Sequence, residues 1–196
     1  MKYFFTSDWH FGCDDIIKRE NRPFKNIEEN EEYVINDINS RCGKEDKLYV
    51  VGDMITYNDN IKVDIKDIES VIKRINTKIV LIMGNNEQRL MSDRYNNDIR
   101  QFREECKKIG IETVREDDYI SFGDRIFYIN HYPRNQKEIY VNLFGHTHRV
   151  TGLYKEKGLN VGTDLNHFRV YSEEDILYLL SEKEKYWEVS IDVLVR

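Results

Sequence analysis

Histidine is scarce in this 196-residue chain, with five in all, and cysteine and proline are scarcer still, at three and two. The cysteines, Cys13, Cys42 and Cys106, are odd in number and lack disulfide-like or zinc-like spacing. That argues against a disulfide framework and for a reduced, cytoplasmic setting. With so little proline and no low-complexity stretch there is no candidate linker or repeat, and residues 1–196 read as one domain. No apolar run is long enough to span a membrane, and the first strand begins too early to leave room for a signal peptide. Positive charge is also short, with 30 Lys and Arg against 36 Asp and Glu and a formal charge of -6. Phosphate-backbone affinity rests on clustered cations, so strong non-specific nucleic-acid binding is not expected.

The few histidines are not scattered. Four of the five fall in short motifs: Asp8-Trp9-His10, His131 alone, and Gly145-His146-Thr147-His148. Between them stand Gly52-Asp53 and Gly84-Asn85-Asn86-Glu87. Each motif follows a short apolar stretch, namely Tyr3–Phe5, Leu48–Val51, Ile79–Met83, Ile126–Ile129 and Val141–Phe144. Such runs read as buried strands. Open α/β sheets bind their ligands beyond the carboxyl ends of the strands, so five strand ends are expected to meet at one rim.

The ordered set Asp-x-His, Gly-Asp, Gly-Asn, His, Gly-His-x-His resembles the calcineurin-like metallophosphoesterase superfamily, and it covers the chain from Asp8 to His148. Phe11-Gly12, Ile16-Ile17 and Arg22-Pro23-Phe24 are similar to its short bacterial and phage members. The resemblance implies a four-layer α/β/β/α sandwich of two mixed sheets flanked by helices. It also implies that Asp8, His10 and His148 hold one metal ion, that Asn85, His131 and His146 hold another, and that Asp53 bridges them. Mixed imidazole and carboxylate ligands suit two divalent transition ions, with Mn first and Fe, Zn, Ni or Co as alternatives, better than Mg or Ca. A pair of such ions clamps attacking and leaving oxygens, and the nucleophile expected of such a site is a metal-held hydroxide.

The chain departs from the family pattern at two places. Asn86 stands where the family has the histidine that protonates the leaving oxygen or steadies the phosphoryl group, and an amide cannot supply a proton. The expectation is a preference for good leaving groups, or another donor such as Glu87, Tyr132 or His167. Cys13 stands where many relatives have histidine and reads as a small apolar filler, with an extra soft ligand as the alternative. Arg22, Arg89, Arg134 and Arg149 follow the motifs and are candidates for phosphate contact, as Tyr132 is for lining the pocket. Asp164 and His167 are candidates for orienting imidazoles.

Helices are expected over Glu28–Arg41, Val63–Ile75 and Asp98–Ile109, the last closed by Gly110. Tyr119–Phe122 and Ile126–Ile129 read as a hairpin around Gly123-Asp124. Ser172-Glu173-Glu174-Asp175 opens a helix, and Trp187–Val195 alternates as an edge strand with an apolar face suited to a dimer contact. The function expected is phosphomonoester or phosphodiester hydrolysis on a phosphorylated small molecule, nucleotide or nucleic-acid end, by a monomer or homodimer. The alternative is a non-catalytic binding platform that keeps the fold. It is the weaker of the two, because every ligand position is filled by a ligating side chain.

Overall fold

The computed structural model describes residues 1–155 and 157–194, with residues 184–194 described by their backbone. In chain order the elements are β1 (Tyr3–Thr6), α1 (Asp15–Arg19), α2 (Ile27–Arg41), β2 (Lys47–Val51), α3 (Glu69–Ile72), β3 (Lys78–Ile82), α4 (Asn85–Tyr95) and α5 (Ile99–Ile109). There follow β4 (Ile111–Arg115), β5 (Asp118–Phe122), β6 (Arg125–Ile129), β7 (Val141–Phe144), β8 (Leu153–Tyr154), β9 (Gly158–Asn160), β10 (Tyr171–Ser172) and α6 (Glu173–Leu194). They form two mixed sheets flanked by helices, ordered β10-β1-β2-β3-β4 and β5-β6-β7-β9-β8.

The apolar runs do not alternate with polar residues because both faces of the first sheet are covered. The registered row Phe4, Leu48 and Ile79 packs with Val34, Ile35, Ile38 and Phe102 from the helices. The adjacent row Phe5, Tyr49 and Val80 faces Ile120, Phe127, Ile129 and Leu143 of the second sheet. A one-residue slip would exchange the two rows, so register is firmly specified.

Strands β1, β2 and β3 are mutually parallel, as are β6 and β7, so the residues that follow their carboxyl ends carry all the ligand motifs. α5 follows its expected ends closely: the Asp98 side chain accepts from the backbone N–H of Arg100 and Gln101, and Gly110 takes φ 111° after the last turn. The hairpin of β5 and β6 pairs Ser121 with Ile126 across the turn, as expected.

Two expectations need correction. The Val63–Ile75 stripe buries Ile65, Ile68 and Ile72 but forms only a 3-10 turn over Ile65–Ile68 and the short α3. Its many β-branched residues favour a full helix weakly. The period-two run from Trp187 is helical as far as Leu194, as a continuation of α6. The acidic first turn and the helix-forming Leu-Ser-Glu-Lys-Glu-Lys stretch outweigh the alternation of β-branched residues. Val195 and the apolar face suggested for dimer contact lie outside the described residues.

Candidate metal centre

The rim is built from strained backbone. Asp8, His10, Asp53, His146 and His148 all have positive φ, between 45° and 72°. For residues other than glycine this costs on the order of 1–3 kcal/mol each and persists only where surrounding contacts enforce it. The contacts are visible: Asp8 N–H donates to Gly52 O at 3.0 Å, His10 N–H to Asp53 O at 3.1 Å and Phe11 N–H to Met54 O at 2.9 Å. The loops after β1 and β2 are thereby joined. The motif glycines have a steric reason. A Cβ on Gly52, itself at φ 86°, would collide with the His131 ring, and one on Gly145 would collide with Ser7 and Asp8.

Two groups of ligand atoms result, Asp8 with His10 and His148, and Asp53 with His131 and His146. Within each group the atoms lie within 4.8 Å of one another. His131 Nδ1 donates to the Val51 carbonyl at 2.7 Å, and His10 Nδ1 pairs with Thr56 Oγ1 at 2.9 Å. Each ring therefore turns Nε2 inward, where neither atom has a hydrogen-bond partner. Both inward nitrogens approach the same oxygen, Asp53 Oδ2, at 3.5 Å from His131 and 4.0 Å from His10. Asp53 thus stands between the two groups. An apolar core would not leave two buried nitrogens unpaired, because each costs about 1–3 kcal/mol. The donor set fits divalent transition ions, which accept neutral imidazole and carboxylate together.

Electrostatics agree. Burial pushes His10 down to about 3, which leaves its imidazole neutral and able to ligate. Burial also opposes charge on His131, but Asp53 and Asp8 outweigh it and hold the ring up at about 9. Burial opposes charge on Asp53 too, yet His131, His10 and a hydrogen bond from the Asn86 side chain keep its carboxyl well below the usual range. Desolvation raises Asp8. The site therefore favours added positive charge.

The outer ligands are held by side chains. His146 N–H donates to Asp8 at 3.0 Å, and its Nδ1 lies 3.0 Å from Asn85 Oδ1. His148 Nδ1 lies 2.8 Å from Asp164 Oδ2. Arg22 grips the same carboxylate from both sides, Nε and Nη2 each at 2.9 Å, and also donates to Trp9 O, Asn30 Oδ1 and Asp8 O. His148 and Arg22 overcome burial to bring Asp164 down to about 2. Asn160 Nδ2 fastens the loop after β7 by donating to Thr147 Oγ1, His148 O and Thr151 O.

A cleft of about 290 Å³ opens over His10, Asp53, Asn85, Asn86, His146 and His148, with Arg89 at its edge. His131 is fully buried beneath, with Tyr132 packed on it at 5.1 Å between ring centres. Tyr132 lines a neighbouring recess, and its hydroxyl donates to Gln88. Asp164 orients His148 as expected.

Other assignments change. Arg22 is fully enclosed, with its donors engaged by Asp164, Asn30 and backbone carbonyls, so it braces the site and cannot reach substrate. Glu87 is buried as well; its carboxylate accepts the N–H groups of Gly84, Asp53 and Met54 and holds the Asp53 loop. It is therefore not the sought proton donor, although burial and Asp53 raise it to about 7. Arg134, Arg149 and His167 are exposed, and none of them lines the cleft. Cys13 is a buried member of the helix-side core, as a filler would be.

Sequence reasoning missed Glu20, Thr56, Tyr57 and Asn58, which line the cleft together with Arg19, a member of the cationic cluster after the first motif. Thr56 lay three residues past Asp53, where the pairing of the two loops would have placed it opposite His10.

A family model described as calcineurin-like phosphoesterase matches residues 1–192. The chain belongs to the calcineurin-like phosphoesterase family. An uncharacterized protein of Methanocaldococcus jannaschii is 33% identical over 87 residues, 44% of this chain and 47% of the relative, so the match spans about half of that protein's length. A protein of unknown function from Aquifex aeolicus has the same fold, with a TM-score of 0.62 and 21% identity over 91% of this chain and 98% of that one. The nuclease MPE of Pseudomonas putida aligns at a TM-score of 0.48 and 18% identity, over 74% of this chain and 61% of the nuclease.

Proposed function

We propose that the chain hydrolyses phosphoesters with two divalent transition ions, manganese first among them. Asp8, His10 and His148 would hold one ion, Asn85, His131 and His146 the other, and Asp53 would stand between them. The observation that carries this reading is the pair of buried, unpartnered Nε2 atoms of His10 and His131, both facing Asp53 Oδ2. When bound, such ions supply Lewis acidity and lower the pKa of water to about 7.

The chain's own residues supply orientation. Asp164 and Thr56 fix the rings of His148 and His10, and Glu87 fixes the backbone that presents Asp53. Arg89 is exposed at the cleft edge and offers a fork to phosphate oxygens. The open cleft suits a phosphoryl group carried on a small molecule, a nucleotide or a nucleic-acid end. Monoester and diester substrates both remain within the proposal. Among the described residues no helix is long and apolar enough to cross a membrane, and three buried free cysteines are in keeping with a cytoplasmic setting.

The test is metal reconstitution. Stripped protein is loaded in turn with Mn, Ni, Co, Zn and Mg and assayed on p-nitrophenyl phosphate and bis(p-nitrophenyl) phosphate, with bound metal measured in parallel. The proposal expects two ions per chain and hydrolysis that depends on them. Tight metal binding without hydrolysis of either ester would favour the binding-platform alternative, and no binding would remove both.

A further inference from the structure

The cleft contains a polar group whose direction is settled by its neighbours. Asn86 Oδ1 accepts the Tyr57 backbone N–H at 2.7 Å. With its oxygen occupied, the Asn86 amide can present only its two Nδ2–H groups to Asp53 and to the cleft it lines. That group gives a hydrogen bond but not a proton.

The other hydrogen-bonding side chains facing the cleft have partners within the protein. Glu20 accepts from Arg19 Nε at 3.4 Å, the Tyr57 hydroxyl oxygen accepts from Arg94, His146 Nδ1 is paired with Asn85 and Thr56 Oγ1 with His10. Arg89, in contrast, is exposed at the edge and has no carboxylate partner among the described residues. The site is short of a proton donor and has a cation to spare.

Resting on the phosphoesterase reading above, we infer that the preferred substrates are phosphoanhydrides, such as nucleoside diphosphates, whose leaving group is itself a phosphate. In the step, the oxygen of water bonds to the terminal phosphorus and the water proton passes to solvent. The bridging P–O bond breaks, and its electron pair stays on the departing phosphate. A leaving alkoxide must be protonated, since its conjugate acid is about as weak as water, with a pKa of ~15.7. A leaving phosphate has a second pKa of about 6 and departs as its anion. Asn86 Nδ2 donates to the phosphoryl oxygens, and the Arg89 guanidinium receives the charge of the leaving phosphate.

The experiment compares ADP, AMP and bis(p-nitrophenyl) phosphate on the same manganese-loaded protein. Calorimetry of the non-hydrolysable α,β-methylene analogue of ADP gives a second readout. ADP should be cleaved at least ~100-fold faster than AMP, the low end of what a positioned acid contributes. Asn86→His should raise AMP hydrolysis far more than ADP hydrolysis. Arg89→Ala should weaken the methylene analogue about 10-fold, the loss expected for one charge-assisted hydrogen bond, and more than it weakens AMP. Cleavage of the aryl diester with ADP no faster than AMP would overturn this inference and leave the phosphoesterase reading standing. Equal binding of the methylene analogue by the parent and Arg89→Ala would overturn the role given to Arg89. Hydrolysis of none of the three would overturn the phosphoesterase reading, and this inference with it.

Discussion

The floor and the rim of the site are held in different ways. On the floor, His10 and His131 are buried, and their outward nitrogens meet the buried Thr56 hydroxyl of the loop after β2 and the Val51 carbonyl of β2 itself. On the rim, His148 is half-buried and His146 exposed, and both depend on side chains, Asp164 and Asn85, that are themselves carried on loops or helix ends. A ring fixed by a strand carbonyl, as His131 is, is placed by the fold, whereas rings fixed by side chains can be loosened one at a time. The two groups of ligands also differ in charge. One contains Asp8, while the ion proposed on the other side would draw on the neutral amide of Asn85, and Asp53 stands between them. The Asn85 side should therefore be the weaker for a cation.

Asp53→Asn should break both halves together, because it removes the carboxylate that faces both inward nitrogens. Hydrolysis should fall to background and both ions should be lost, as read by elemental analysis, while the fold is retained by circular dichroism. Parent-like activity would remove the bridging role.

Arg22→Met should separate architecture from chemistry. It leaves Asp164 buried without its cation, and breaking a buried pair in this way costs about 3–5 kcal/mol. Denaturant unfolding should show that loss, and a change within 0.5 kcal/mol would mean that water replaces the guanidinium.

Asp164→Asn should act on metal binding through the rim, besides weakening the buried pair with Arg22. Loss of the carboxylate behind a ligating imidazole typically costs ~10–100-fold in metal affinity. The loss should appear in titration of the His148 ion and leave the Asn85 side unchanged. Equal weakening of both ions would show that floor and rim are not separable.

The smallest effect is expected from His167→Ala and Arg134→Ala. Both residues are exposed and outside the cleft, so stability should stay within about 0.5 kcal/mol and activity should match the parent.

The sequence was most legible where chemistry and strand ends coincide. Asp8, His10, Asp53, Asn85, His131, His146 and His148 all come together at one end of the strands, because each follows a short buried run whose length and boundaries are plain. Bracing was less legible. Arg22 reads as a phosphate contact until its burial is known, since a guanidinium suits an anion of substrate or of protein equally well. Glu87 reads as an acid, yet a glutamate three residues after a glycine is also the pattern of a helix-opening cap, and here both oxygens are taken by backbone. That cap also explains the unrecognised α4, which buries few apolar side chains, Leu90 and Tyr95, and so shows little helical stripe. The helical run past Trp187 was hidden because β-branched alternation is a weak signal beside a helix already started.

The central claim is that Asp53 lies between two ions. Anomalous scattering from crystals grown with excess manganese tests it most directly. The account predicts two peaks, one against Asp8, His10 and His148, the other against Asn85, His131 and His146, with Asp53 touching both. A single peak that does not touch Asp53, or none at full manganese, would contradict it.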